Sequence, residues 1–99
     1  MKEGFVYILT NPGRTVLYIG VTSDLVTRMK DHSIGKGSEF CRRYQVKILV
    51  YYELLPDIMS AIRREKQLKQ WKRKWKLELI KKRNPEMKDL LQKEKYLGK

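Results

Sequence analysis

The sequence predicts an α+β fold, a three-stranded antiparallel sheet flanked by helices in the order β-β-α-β-α-α. Three observations lead there. Two β-rich runs near the N-terminus are separated by a turn composition, and a third strand-like run follows at Val46 to Glu53. Beyond Pro56 the pattern changes to helical periodicity. At 99 residues the chain is about one small domain with no surface to spare for a second core. The expected division is one unit over 1–99: a core of about 3–84 that includes a basic helical segment at 63–83, and a polar tail at 85–99.

Phe5 to Leu9 and Thr15 to Val21 are the first two strands, and Asn11-Pro12-Gly13-Arg14 between them makes the pair a hairpin. Thr22-Ser23-Asp24 offers N-cap side chains for a helix running to about His32. Gly35-Lys36-Gly37-Ser38 has the composition of a flexible loop, and the third strand follows. Asp57 is the expected N-cap of a long helix reaching Trp71 or beyond. A further helix carries Trp75 to Lys82, Asn84-Pro85 breaks it, and a short polar helix is expected over Glu86 to Tyr96.

The charge balance narrows the function. Lys plus Arg number 23 against 11 Asp plus Glu, a formal net charge of +12, which favours polyanionic partners. Residues 63–83 hold eleven of the basic side chains and only Glu65 and Glu78 as acids. Phosphate contact is therefore assigned to Arg63, Arg64, Lys69, Lys72, Arg73, Lys74 and Lys76, while Trp71 and Trp75 are expected to face the interior. No stretch approaches the roughly 20 apolar residues of a membrane span, and Met1-Lys2-Glu3 does not open a secretion signal. A cytoplasmic protein without membrane contact is expected. Cys41 is the one cysteine, read as a free surface thiol beside Arg42 and Arg43 with no catalytic arrangement around it.

On the helix after Pro56, Ile58, Ala61, Ile62 and Leu68 form an apolar stripe, and Glu65 falls in its middle. An inward carboxylate must be paired, neutralised or bound to a cation. An ion pair with an arginine or a hydrogen bond to a tyrosine competes with a metal site there. Tyr7 and Tyr18, one on each hairpin arm, are core residues by default. Arg28 and His32 are spaced i, i+4 on one side of the first helix, and His32 also lines up with Leu25 and Met29. Each of these side chains alone is ordinary. Together they supply a proton acceptor, phosphate-neutralising charge and a hard oxygen ligand.

These residues resemble a known pattern. Phe5-Val6-Tyr7, ten intervening residues and Tyr18-Ile19-Gly20 are similar to the paired signature of the GIY-YIG nuclease family, with Arg28 and His32 at the family's helix positions. Ala61 to Lys69 looks like its metal-binding helix. The remainder, through Asn84-Pro85, is similar to small stand-alone members related to the nuclease domain of the excision-repair C subunit. The first signature lacks its glycine and isoleucine, and Val21 replaces a lysine found in some repair members. The resemblance implies metal-dependent hydrolysis of DNA, in preference to RNA, with one Mg²⁺ or Mn²⁺ and a setting in repair or recombination. It implies Glu65 as the metal ligand and Tyr7 as the group that orients or deprotonates the attacking water, with His32 relaying the proton. Arg28 and Tyr18 would hold the phosphate, Gly20 would give the backbone room beside it, and Asn84 would be a late-domain site asparagine. A protein partner for targeting is compatible with the absence of an attached recognition domain, and oligomeric state is left open. Two other classes stay in competition: a nucleic-acid-binding module that does not cut, and a basic interaction protein.

Overall fold

The computed structural model describes residues 2–33 and 37–91. Its elements are β1 (Gly4–Thr10), β2 (Leu17–Thr22), α1 (Leu25–Ser33), α2 (Glu39–Arg43), β3 (Ile48–Leu55), α3 (Ile58–Gln70) and α4 (Arg73–Arg83). The predicted order is found, with the five-residue α2 added between α1 and β3. The strands form one antiparallel sheet in the order β2-β1-β3.

Local chemistry explains the element ends. Asn11 Oδ1 accepts from the backbone N–H groups of Thr15 (2.8 Å) and Val16 (2.9 Å), closing the hairpin turn with its own side chain. Asp24 Oδ1 accepts from Thr27 N–H (3.2 Å), and Asp57 caps α3 by accepting from Ser60 N–H at 2.7 Å. Ser38 caps α2 through Cys41 N–H. Trp71 leaves the helical region and ends α3, and Asn84 ends α4.

Strand alternation sends side chains to two separate clusters. Val6 and Ile8 of β1 and Ile19 of β2 pack with Val50, Tyr51, Ala61, Leu68 and Ile80, so α3 and α4 cover this face. Tyr7 and Leu9 pack instead with Met29, Cys41, Val46 and Leu49, under α1 and α2. A bulge between Ile8 and Leu9 shifts the β1–β3 register, which places both Val50 and Tyr51 in the first cluster while Leu49 stays opposite Leu9. Gly4 brings α3 close. A Cβ there would lie 2.7 Å from Ala61 Cβ and 2.9 Å from Ile58 Cα.

Four expectations are corrected. The third strand begins at Ile48 and extends to Leu55, with Val46 buried ahead of it. Residues 86–89 are not helical, Met87 having φ of 52°; a helical turn begins only at Leu90, and 92–96 lie outside the described residues. Cys41 is buried and not on the surface, and burial pushes its thiol up despite the neighbouring arginines. Trp71 packs partly against the core, but Trp75 is 46% exposed, its ring edge-on to Trp71. From α4 it is Ile80, Leu77 and Leu79 that pack into the first cluster, and Trp75 is not among them. The loop read at 35–38 is described only at Gly37 and Ser38.

Candidate active site

The register settles how the two signature strands meet. Tyr7 lies opposite Gly20, and Leu9 opposite Tyr18. A Cβ on Gly20 would collide with Cζ and Oη of Tyr7, so the missing side chain is the space into which the phenol folds. The room that Gly20 leaves on this side is taken by Tyr7. Tyr7 is 3% exposed, and its ring centroid is 6.5 Å from that of Tyr18. Burial first, and Tyr18 second, hold the Tyr7 hydroxyl well above the ordinary phenol range; Arg28 opposes them.

From α1, Met29 and His32 point inward, in line with half-buried Leu25. The His32 ring completes a triangle, edge-on to Tyr7 at 6.1 Å and to Tyr18 at 6.3 Å. Its Nε2 is buried and has no hydrogen-bond partner among the described residues. Gly37 lies against the imidazole so tightly that a Cβ would meet Nδ1. Burial and the charge of Arg28 hold His32 below its ordinary value, with Asp31 opposing. Arg28 itself is exposed, and its charge is felt at both Tyr7 and His32.

Glu65 stands on α3 between buried Ala61 and Leu68, as the stripe predicts. Its side chain is 14% exposed, and Oε2 pairs with Lys69 Nζ at 2.9 Å, one helical turn on. The carboxylate also opposes ionisation of Tyr7, so it lies within electrostatic reach of that phenol. Tyr18 and His32 are tied to Tyr7 by ring contact, whereas Arg28 and Glu65 reach it by charge alone.

Other predicted residues have different employment. The Asn84 amide donates to Val50 O (3.1 Å) and Lys88 O (2.8 Å) and accepts from Lys88 N–H (3.0 Å), anchoring the end of α4 to β3. That side chain is structural. Arg64 donates through Nε (3.0 Å) and Nη2 (2.9 Å) to Glu53 and through Nη1 to Gln67 (2.6 Å), and its guanidinium stacks 5.3 Å from the Trp71 ring. Glu53 also accepts from the Tyr51 hydroxyl; burial favours its neutral form, but Arg64 and Tyr51 outweigh that and lower its pKa. The phosphate contact expected of Arg64 is replaced by this network, and Lys69 is engaged by Glu65. Arg63, Lys72, Arg73 and Lys74 are exposed, and Lys76 is half-buried.

Two aromatic rings beside the site were not singled out from the sequence. Phe40 of α2 stacks on Tyr18 (6.1 Å, 26°), and Tyr44 packs on Phe40 at 4.9 Å. The i, i+4 spacing of the two rings, with a pair of arginines between them, was the available signal.

Comparison with known proteins bears on the family and the fold. A family model described as the GIY-YIG catalytic domain matches residues 3–84. A UPF0213 protein of Staphylococcus haemolyticus (strain JCSC1435) is 32% identical over 83 residues, 84% of this chain and 100% of that protein. A UPF0213 protein of Syntrophus aciditrophicus (strain SB) is 36% identical over 87 residues, 87% of this chain and 98% of that one. The solution NMR structure of a UPF0213 protein from Bacillus halodurans superposes with a TM-score of 0.56 at 28% identity, covering 89% of this chain and 93% of that chain.

Proposed function

This chain belongs to the GIY-YIG family, and on that premise we propose that it is an endonuclease hydrolysing phosphodiester bonds of DNA with one divalent metal ion, Mg²⁺ or Mn²⁺. The observation that carries the reading is the Tyr7–Tyr18–His32 triangle with the Arg28 charge and the inward Glu65 carboxylate around it.

The donor set suits such an ion. By the family resemblance Glu65 would be the single carboxylate ligand; among the described residues no three His, Cys, Asp or Glu side chains form a metal cluster. Mg²⁺ retains several waters and takes substrate phosphate oxygens, and one carboxylate is enough for that mode. The competing Lys69 is more than half exposed, and an i, i+4 pair of this kind contributes only about 0.3–0.5 kcal/mol. When bound, the ion supplies positive charge at the leaving oxygen.

The protein's own groups do the rest. Burial keeps Tyr7 a phenol at neutral pH, so its hydroxyl orients the attacking water by hydrogen bonding. His32 is held neutral and, with Nε2 uncommitted among the described residues, takes the water's proton. Arg28 neutralises the scissile phosphate, and Tyr18 hydrogen-bonds it. Arg63, Lys72, Arg73, Lys74 and Lys76 grip flanking phosphates without reading sequence. The nuclease unit is the span 3–84 together with 85–91, which were expected in a polar tail but pack back onto it: Met87 is buried in the first cluster, and Leu90 and Leu91 lie against the second. No helix among the described residues is long and apolar enough to cross a membrane.

The test is cleavage of end-labelled DNA and RNA, duplex and branched, with Mg²⁺ or Mn²⁺. Wild type is expected to cut DNA, to stop in EDTA, and to lose about 10²-fold or more in rate as Glu65→Gln, while the variant binds DNA as before. Equal cutting by Glu65→Gln removes the single-metal assignment. Binding without cutting on every substrate assigns a nucleic-acid-binding module instead.

A further inference from the structure

The aromatic triangle does not end at His32. From buried Tyr7 a row of rings runs outward through half-buried Tyr18 to Phe40 and Tyr44, with centroid steps of 6.5, 6.1 and 4.9 Å. The inner edge of α2 is Cys41, packed with Val46 and Leu49. Phe40 and Tyr44 stand on its other side, 45% and 48% exposed. They complete no core of their own, and two large rings left in water beside a catalytic site are an uncovered apolar surface.

Their surroundings select the occupant. Arg42 and Arg43, between the two rings in sequence, are exposed, and Arg42 and Lys47 line a recess of about 140 Å³ together with His32. Cationic groups interleaved with stacked aromatics suit a nucleic-acid strand, its phosphates on the arginines and its bases on the rings. A base inside a duplex already has neighbours on both faces and has no free π-surface to offer; an unpaired base has one. We infer that Phe40 and Tyr44 form a stacking platform, continuous with Tyr18, for an unpaired nucleobase next to the scissile phosphate. The substrate is then a strand that is single-stranded at or beside the cut. This inference takes its location from the nuclease reading above, but the stacking itself requires no cleavage.

The experiment uses the full chain in EDTA, where no cutting occurs. A short oligonucleotide carrying 2-aminopurine is titrated as a single strand and as a blunt duplex of the same sequence, against wild type, Phe40→Ala, Tyr44→Ala and Trp75→Ala. Wild type is expected to change the single strand's 2-aminopurine fluorescence and to prefer the single strand. Either platform variant should lower the ratio of single-strand to duplex affinity about tenfold, in keeping with base–aromatic stacking. Tyr44→Ala, at the exposed end of α2, keeps the test valid if Phe40→Ala loosens the helix, and thermal melts identify that case. Trp75→Ala should leave the fluorescence change intact. Three results overturn the platform: an unchanged ratio in both variants, loss of the signal in Trp75→Ala instead, or concentration-dependent dimerisation that Tyr44→Ala abolishes. A protein that stacks the base but cuts nothing with metal keeps the platform and loses the nuclease reading. One that cuts but shows no stacking does the reverse.

Discussion

At the scale of single residues, Gly20 and Tyr7 are one unit. The cross-strand pair works because the glycine has no side chain where the phenol lies. Gly20→Ala must displace the ring, and overpacking of this kind costs about 1–3 kcal/mol. The expected outcome is lower stability in urea and, on the nuclease proposal, at least a tenfold loss of single-turnover cleavage, because the Tyr7 hydroxyl would no longer meet its water. If stability and rate both stay at wild type, the phenol does not occupy that space. Both residues were legible as signature positions. Their mutual contact was not, because which residue lies opposite which depends on strand register.

At the scale of elements, α3 shows how far a stripe can be read. Asp57 as cap, Ala61 and Leu68 as core and Glu65 among them all follow from period and capping chemistry. Leu68 is fully buried in the core that joins the sheet to α4, so Leu68→Ala should cost about 2–5 kcal/mol, while exposed Met59→Ala should stay within about 0.5 kcal/mol. Urea midpoints at constant m-value check both. The same helix shows where the stripe stops helping. Arg64 looked like one more phosphate-binding arginine, but its partner is Glu53, eleven residues earlier on β3. The helix α2 was missed for a different reason. Five residues are too few for a 3.6-residue period to appear, and its Ser38 cap looks the same as a loop serine.

At the scale of the whole molecule, the tyrosine–histidine cluster and the basic helix α4 lie on different faces of the sheet, while Glu65 stands on α3, on the same face as α4. The tyrosine and histidine cluster lies under α1 and α2, whereas α4, with much of the positive charge, covers the opposite face. If the chain is the nuclease proposed, the lysines at and on α4 are expected to meet phosphates away from the reacting one. Lys72→Ala, Lys74→Ala and Lys76→Ala combined should weaken binding equally for all sequences. The slope of log K against log salt should become shallower by roughly 0.9 for each phosphate that is no longer neutralised. A triple variant with an unchanged slope would show that α4 does not touch the nucleic acid.

The sequence by itself determined the order of the three strands and the three longer helices, the Asp24 and Asp57 caps, the inward direction of Glu65 and the basic character of 63–83. All of these rest on side chains within about one helical turn or one strand pleat of each other. Tertiary structure alone decided the rest. It placed Tyr7 over Gly20, tied Arg64 to Glu53 and Asn84 to Val50, buried Cys41, left Trp75 exposed, and lined up Phe40 and Tyr44 behind Tyr18. Most of these outcomes depend on a partner more than ten residues away in the chain, and a local pattern carries no record of which distant group will satisfy a side chain's charge, volume or hydrogen bonds.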